Sequence, residues 1–342
     1  MKTRTFLGFV APSLALMTVF IALPLFLVAV GSLYATNPVY ETISEQSCTP
    51  GFLGQTCTTE TRARAKLDET GRPVMQTRYV GAAAYRGLLQ PEEVARAFSA
   101  AGHGVSDLLA LDFYAALRFT LTFTLVTLPL VIGLGLLVAL AINTVVKSIR
   151  GPLIFATLLP FVITPVIGAL SIRWLFIGDG ILTAALRPVF RTDVAMFAQG
   201  WTIELLMLSY RVWHTTPFAF VVFYAGLQTL DRDTIESAII DGASRLERLR
   251  AVVIPHLMPL IVFVALIHLM DSYRVFEEVI GFSSQAYRIS LQFLTFNFLT
   301  PDQTGNRAIT RASASSMLTL VGIVVLLVPL IVRSWRSQRR RA

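Results

Sequence analysis

Apolar residues run through this chain in long blocks separated by short charged segments. No charge occurs between Arg4 and Glu41, Arg118 and Lys147, Arg150 and Arg173, Arg250 and Asp271, or Arg311 and Arg333. A sixth block, 199–228, is interrupted only by Glu204 and Arg211. A bilayer core about 30 Å thick is crossed by roughly 20 helical residues, each rising about 1.5 Å. The pattern therefore predicts an all-α integral membrane protein with six transmembrane helices. Their approximate spans are 7–34, 112–146, 153–177, 200–228, 256–279 and 309–333. The first block is longer than the 7–15-residue core of a cleaved signal, so it reads as a retained helix. Pro24, Pro129, Pro160, Pro165, Pro217 and Pro329 fall inside these spans. Each removes a backbone donor. Such breaks persist where neighbouring helices or a water-filled cavity satisfy the freed carbonyls, which favours a bundle with a pathway over a simple anchor.

Composition supports this reading. The 342 residues are 54% hydrophobic and 15% charged, against about 25% charged in soluble chains. The net charge of +8 is distributed by side. With the N-terminus in the cytosol, thirteen Lys and Arg fall on the inner segments. Four, Arg187, Arg191, Arg288 and Arg307, fall on the two short outer loops. That bias places both termini in the cytosol, and the RSWRSQRRRA tail (334–342 in its last nine residues) reads as an anchor beside anionic lipid and not as a nucleic-acid arm. The chain divides into 1–34, an external insert or cap at 35–111, a core at 112–333 and the tail. The insert balances seven basic against eight acidic residues, and PEEVARAFSAAG within it has the proline, acids and glycine of a short helix. An ordered cap and a flexible insert both remain open. Cys48 and Cys57 lie there; outside the cytosol a disulfide is favoured, with two unpaired thiols as the alternative.

One short polar element separates the fourth and fifth spans: ESAIIDGASRLERLRAVVIP, Glu236 to Pro255. Asp231, Asp233 or Thr234 caps a helix with apolar Ile235, Ala238 and Ile239 on one face. Gly242 ends it in the left-handed conformation. Ser244 and Glu247 form a capping box for a second helix striped by Leu246, Leu249 and Val253. The product is a helix–turn–helix elbow on the basic side, whose apolar ridge lies either on lipid or in a partner.

The spacing resembles the EAA motif of the membrane subunits of binding-protein-dependent ABC importers. Glu236-Ser237-Ala238, three residues, Gly242 and nine further residues lead to Val252-Val253-Ile254-Pro255. WHTTPFAFVVFYAGLQTLDRD from Trp213, LPFVITPVIGALSIRWLF and YVGAAAYRGLL resemble elements of the maltose-type (MalF-like) sugar permeases, with departures at Ala84 and Phe119. The resemblance implies a MalF-like permease fold in a chain that passes a carbohydrate delivered by an external solute-binding protein. It implies that the loop at 229–255 docks into a cytosolic ATPase through Glu236, Ser237, Ala238, Asp241, Gly242 and Ala243. A second homologous permease subunit and two ATPase subunits are then partners. ATP and Mg reside on those subunits, since this chain has no G-x4-GK[ST] phosphate loop and no cofactor of its own. The family's pathway positions fall near Thr164, Arg211, Thr215, Phe218, His268 and Ser272. Arg211 and His268 add positive character, which suits an anionic sugar; Arg211 paired with Asp271 or Glu204 is the structural alternative. Asp271, Arg274, Glu277 and Glu278 at a helix end read as solvated or ion-paired.

Other classes explain less. An intramembrane enzyme would need a catalytic set, and the chain has no HExxH, no GxSxG and no metal-ligand spacing among its four His. A channel or receptor would leave the elbow without a partner. Importers of polyamines or inorganic anions share the coupling motif and stand as the alternative branch.

Overall fold

The computed structural model describes residues 3–51, 54–68, 71, 74–99, 102–178, 180–190, 197–302 and 305–339. Its elements are α1 (Thr3–Met17), α2 (Leu23–Gly31), β1 (Tyr34–Pro38), β2 (Tyr40–Gly51), β3 (Gly54–Ala65), β4 (Met75–Tyr79), α3 (Ala83–Leu89), α4 (Pro91–Ala97) and α5 (Val105–Leu109). There follow α6 (Asp112–Thr144), α7 (Lys147–Val162), α8 (Pro165–Phe176), α9 (Ile181–Phe190), α10 (Gly200–Gln228), α11 (Arg232–Ile240) and α12 (Arg245–Arg248). The chain closes with α13 (Ile254–Tyr273), α14 (Glu277–Gly281), α15 (Leu291–Leu299) and α16 (Ile309–Arg339). Two π turns, Thr18–Ala22 and Leu249–Val253, join α1 to α2 and α12 to α13.

Among the described residues four helical stretches are long and apolar enough to cross a membrane: Gly8–Gly31, Asp112–Thr144, Arg245–Tyr273 and Ile309–Arg333. The pair α7 and α8 adds a fifth if its halves form one span. The expectation of one continuous helix at 153–177 is corrected here, because the two halves meet at 92°. The cause is local. Proline disfavours helical dihedrals in the residue before it, and Thr164, before Pro165, is extended at φ −60°, ψ 135°. The helix α10 is long enough but is not among the apolar stretches. It buries Glu204, Arg211, His214, Thr215 and Thr216 against neighbouring helices, so it carries less apolar surface than a lipid-facing span.

The chain forms two compact units, one of 1–91 with 295–317 and one of 92–294 with 318–342. In the first, β1 and β4 pair antiparallel from Tyr34↔Tyr79 to Pro38↔Met75, and β2 and β3 form a hairpin from Tyr40↔Ala65 to Gly51↔Gly54. The insert is thus mostly a pair of two-stranded ribbons, where the sequence reading named only the short helix now seen as α4. Cys48 and Cys57 stand opposite each other in the hairpin backbone, at a spacing a disulfide can bridge. Their side chains, and with them the expected bond, lie outside the described residues, as do Arg340, Arg341 and Ala342 of the tail. Thr310 donates to the Tyr34 carbonyl at 2.8 Å, and the Ser32 and Tyr85 hydroxyls bond at 2.7 Å.

In the second unit α6 packs against α10 and α13 around two apolar clusters. Phe119, Phe123, Ile203, Met207, Tyr210, Val275, Val279 and Phe282 fill one end. Val131, Ala139, Val212, Ala219, Phe220, Phe223, Leu257 and Val264 fill the end nearer the elbow. Gly135 sets the closest approach of α6 to α10, since a Cβ there would lie 2.6 Å from the Ala219 Cβ. Replacing it overpacks the contact at a cost of about 1–3 kcal/mol. Gly135→Val should therefore lower the apparent melting temperature in detergent, while Gly133→Val, with nothing within 4 Å of its Cβ, should not.

Candidate functional site

Glu204, Arg211 and Thr215 follow one another along one face of α10 at spacings of seven and four residues. Each meets a different set of partners. Glu204 accepts from Arg118 at 3.2 Å and from Arg288 at 2.7 Å. The Arg211 guanidinium, 5% exposed, donates through Nη1 to Asp271 at 2.8 Å. Its Nε lies 2.8 Å from Glu278 Oε1, an ion pair whose N–H points off the line and so makes no hydrogen bond. The same guanidinium carbon sits 5.6 Å from the centre of the Phe123 ring, within cation–π range. Charged side chains at membrane depth generally pair with one another, and of the two alternatives drawn from sequence the ion pair is the one seen.

This cluster corrects the positive character expected at Arg211. The guanidinium is already paired with Asp271 and lies against Glu278, so it brings no free positive charge to the position. The sequence reading placed Glu278 on a solvated or ion-paired helix end; it is ion-paired but 1% exposed, whereas Asp271 is 61% exposed. The signal for Glu278 was present only as its distance from Arg211, which periodicity does not encode across the break between α13 and α14.

One turn further along, the polar layer becomes neutral. Phe123 beneath Arg211 and Gly135 against Ala219 show that α6 and α10 run in the same direction. Thr127 of α6 and Thr215 of α10 therefore fall near one level. The Thr127 hydroxyl donates to the Phe123 carbonyl at 2.7 Å, so its oxygen accepts from His268 Nε2 at 2.9 Å. That fixes the tautomer: Nδ1 of His268 carries a lone pair. It is buried without a partner, as are the hydroxyls of Thr215 and Thr124. Ser272 spends its proton on the His268 carbonyl at 2.6 Å. Buried polar atoms without partners are uncommon and call for a reason. Three around one level of a bundle suit a layer that meets water or hydroxyl groups when the helices part.

The other two expected pathway residues stand apart from this layer. Thr164 is exposed at the break between α7 and α8. Phe218 is half-buried and stacks on Phe161 with ring centres 6.0 Å apart. The break itself is held by α10: His214 Nε2 donates to the Ile163 carbonyl at 2.8 Å, and the Tyr210 hydroxyl to the Pro165 carbonyl at 2.8 Å. Tyr210, Phe161, Thr124 and Thr127 were absent from the sequence-based set, because nothing in the periodicity separates a packing aromatic or threonine from one that serves the site.

The elbow has the local geometry read from its sequence. Asp231 is the cap of α11, accepting from the Asp233 N–H at 3.2 Å. Gly242 has φ +77°, the left-handed region that glycine enters without strain. Ser244 and Glu247 bond reciprocally, at 3.3 and 2.7 Å. No residue of α11 is fully buried: Ile235 and Ala238 are half-buried, while Glu236, Ser237, Ile239 and Ile240 are exposed, Ile240 to 85%. Asp241 and Ala243 flank the turn. At its base, Arg150 donates to the carbonyls of Asn143 at 3.0 Å and Val145 at 2.9 Å, and Gln228 to the Asn143 side chain at 3.0 Å. These bonds tie together the ends of α6, α7 and α10 from which the elbow emerges.

Long apolar helices around a buried polar face mark a membrane-spanning protein, with the elbow exposed at its surface. The chain belongs to the family described as binding-protein-dependent transport system inner membrane components, whose profile matches residues 119–341. It is 29% identical over 232 residues to a probable ABC transporter permease protein, y4oQ, of Sinorhizobium fredii, covering 66% of this chain and 72% of that one. It is 29% identical over 218 residues to the trehalose/maltose transport system permease protein MalF of Thermococcus litoralis, covering 63% and 72%. It is 28% identical over 250 residues to the sn-glycerol-3-phosphate transport system permease protein UgpA of Yersinia enterocolitica, covering 69% and 82%. Its fold is similar to a chain of a bacterial ABC transporter involved in the import of the acidic polysaccharide alginate, at a TM-score of 0.57, 22% identity and coverage of 74% and 89%.

Because the Arg211 cluster is buried, removing one charge leaves the others uncompensated, at about 3–5 kcal/mol. Arg211→Met should unfold at markedly lower temperature than the parent. Arg211→Met combined with Glu278→Met should recover much of the loss in the same melting experiment.

Proposed function

We propose that this chain is a permease subunit of an ATP-driven ABC importer that passes a carbohydrate or sugar derivative. Membership of the family of inner membrane components supports the transport role. The relatives support the substrate class, since they are permeases of trehalose/maltose and sn-glycerol-3-phosphate transport systems and a chain of a transporter involved in alginate import. In this reading six spans cross the membrane: α1 with α2, α6, α7 with α8, α10, α13 and α16. Both termini lie in the cytosol, the side where basic residues concentrate. A second homologous permease completes the pathway, two cytosolic ATPase subunits carry ATP and Mg, and an external solute-binding protein delivers the substrate. This chain is not itself a catalyst.

The observation that carries the proposal is the free face of the elbow. Its exposed Ile239, Ile240 and Leu246 have no cover in this chain, and Glu236 beside them offers a carboxylate to a basic residue of the motor. A force applied there passes through the π turn into α13, which carries His268 and Ser272, and through Thr229 into α10, which carries Arg211 and Thr215. Thr164 and Phe218, at the kinked α7–α8 break, would line the route beside them. Substrate hydroxyls would meet His268, Thr215 and Thr127 in turn when the bundle opens.

Deleting the gene should reduce uptake of one of labelled maltose, trehalose or sn-glycerol-3-phosphate to background, and the parent chain should restore it. Gly242→Trp should insert normally yet fail to restore uptake, because a bulky L-residue disfavours the left-handed turn and blocks the docking face. Full uptake with Gly242→Trp would sink the coupling role, and unchanged uptake of all three solutes on deletion would sink the substrate class.

A further inference from the structure

A hollow of about 540 Å³ opens at the end of the second unit opposite the elbow. Its walls are the end of α5, the first two turns of α6 and the segment 285–289. Asp112, Arg118, Gln285, Tyr287 and Arg288 bring polar groups to it. None of these belongs to the pathway set read from sequence, and the buried layer lies further along α6, where Thr127 meets His268 of α13.

The polar groups are held in place before any ligand arrives. Arg118 and Arg288 share Glu204 Oε2, which is nearly buried behind them. Arg288 also donates through Nη1 to the Tyr287 carbonyl at 2.9 Å. The segment is folded on Ser284, whose carbonyl accepts from the N–H of Tyr287 at 2.9 Å and of Arg288 at 2.7 Å. The Ser284 hydroxyl donates to the Arg288 carbonyl at 3.1 Å. The chain enters it through Ser283, a non-glycine residue at φ +51°. Backbone held in that sparse region clusters at ligand sites.

The charges decide the ligand. Two guanidiniums face Glu204 behind them and Asp112 on the wall, so the hollow is formally neutral and offers no net attraction to an anion. A guanidinium has five N–H donors, and the bonds described use one on Arg118 and two on Arg288. Fixed donors beside carboxylate and carboxamide acceptors match the neighbouring hydroxyls of a sugar ring. The half-exposed Tyr287 ring offers a surface for the ring's C–H face. Small-ligand sites are hollows of about 300–1,000 Å³ with a few placed polar groups, which at this size accommodates one or two sugar units.

We propose that this hollow binds one end of a neutral oligosaccharide, as a waiting site at the mouth of the bundle ahead of the buried Thr215–His268 layer. The inference rests on the carbohydrate reading above and deepens it. The test uses the full chain in lipid nanodiscs, with maltotriose and trigalacturonate as probes in saturation-transfer NMR. Maltotriose should bind, and Arg288→Ala and Gln285→Ala should each weaken it about tenfold, the loss of one good polar contact. Gln285→Ala removes no bond that the fold uses, so its effect is not a folding defect. No maltotriose signal, a signal indifferent to both variants, a signal abolished only by Thr215→Ala, or tighter binding of trigalacturonate would each overturn the proposal. Failure of the carbohydrate reading itself appears separately, as uptake that survives deletion of the gene.

Discussion

Everything in the bundle depends on how α10 answers the backbone that α7 and α8 leave open. Between Val162 and Pro165 the chain abandons the helix, and in a low-dielectric surround a bare carbonyl costs several kcal/mol. His214 supplies the missing donor to Ile163, and Tyr210 adds a bond to the carbonyl of Pro165 at the start of α8. That obligation keeps both side chains pointing at the break. It also turns the adjacent face of α10, with Arg211 and Thr215, toward α6 and α13. One helix is thereby both the scaffold of the break and the carrier of the polar face.

Polar character along that face changes in steps from a shared carboxylate at Glu204, to an ion-paired arginine at Arg211, to uncharged groups at Thr215 and His268. The ion pairs do mechanical work as well. Arg211 ties α10 to α13 and to α14 across the bend at Arg274–Phe276.

Much of the fold was legible in the sequence where local rules act alone. The limits of α10, the capping box of Ser244 and Glu247 and the left-handed Gly242 follow from residue types within a turn or two. The break at Thr164 was not read, although Pro165 marked it, because the surrounding apolar run is long enough to suggest one helix. The ribbons of the insert escaped notice because their threonines, arginines and glutamates alternate without a strong apolar face. In the site, the helical spacing of Arg211, Thr215, His268 and Ser272 marked faces that are buried. Their partners, Glu278, Thr127 and Tyr210, depend on contacts between residues 45 to 141 positions apart in the chain, and no single-helix pattern carries that information.

The π turn at Leu249–Val253 fixes how the elbow is rotated on the helix that follows it. A helix turns by about 100° per residue, and a π turn is an α-helix with one residue too many. The azimuth of Glu236 about the axis of α13 is therefore fixed by a single amino acid in this join. Gaining or losing one would aim the elbow about a quarter-turn aside, so the count of residues here sets which side chains it presents.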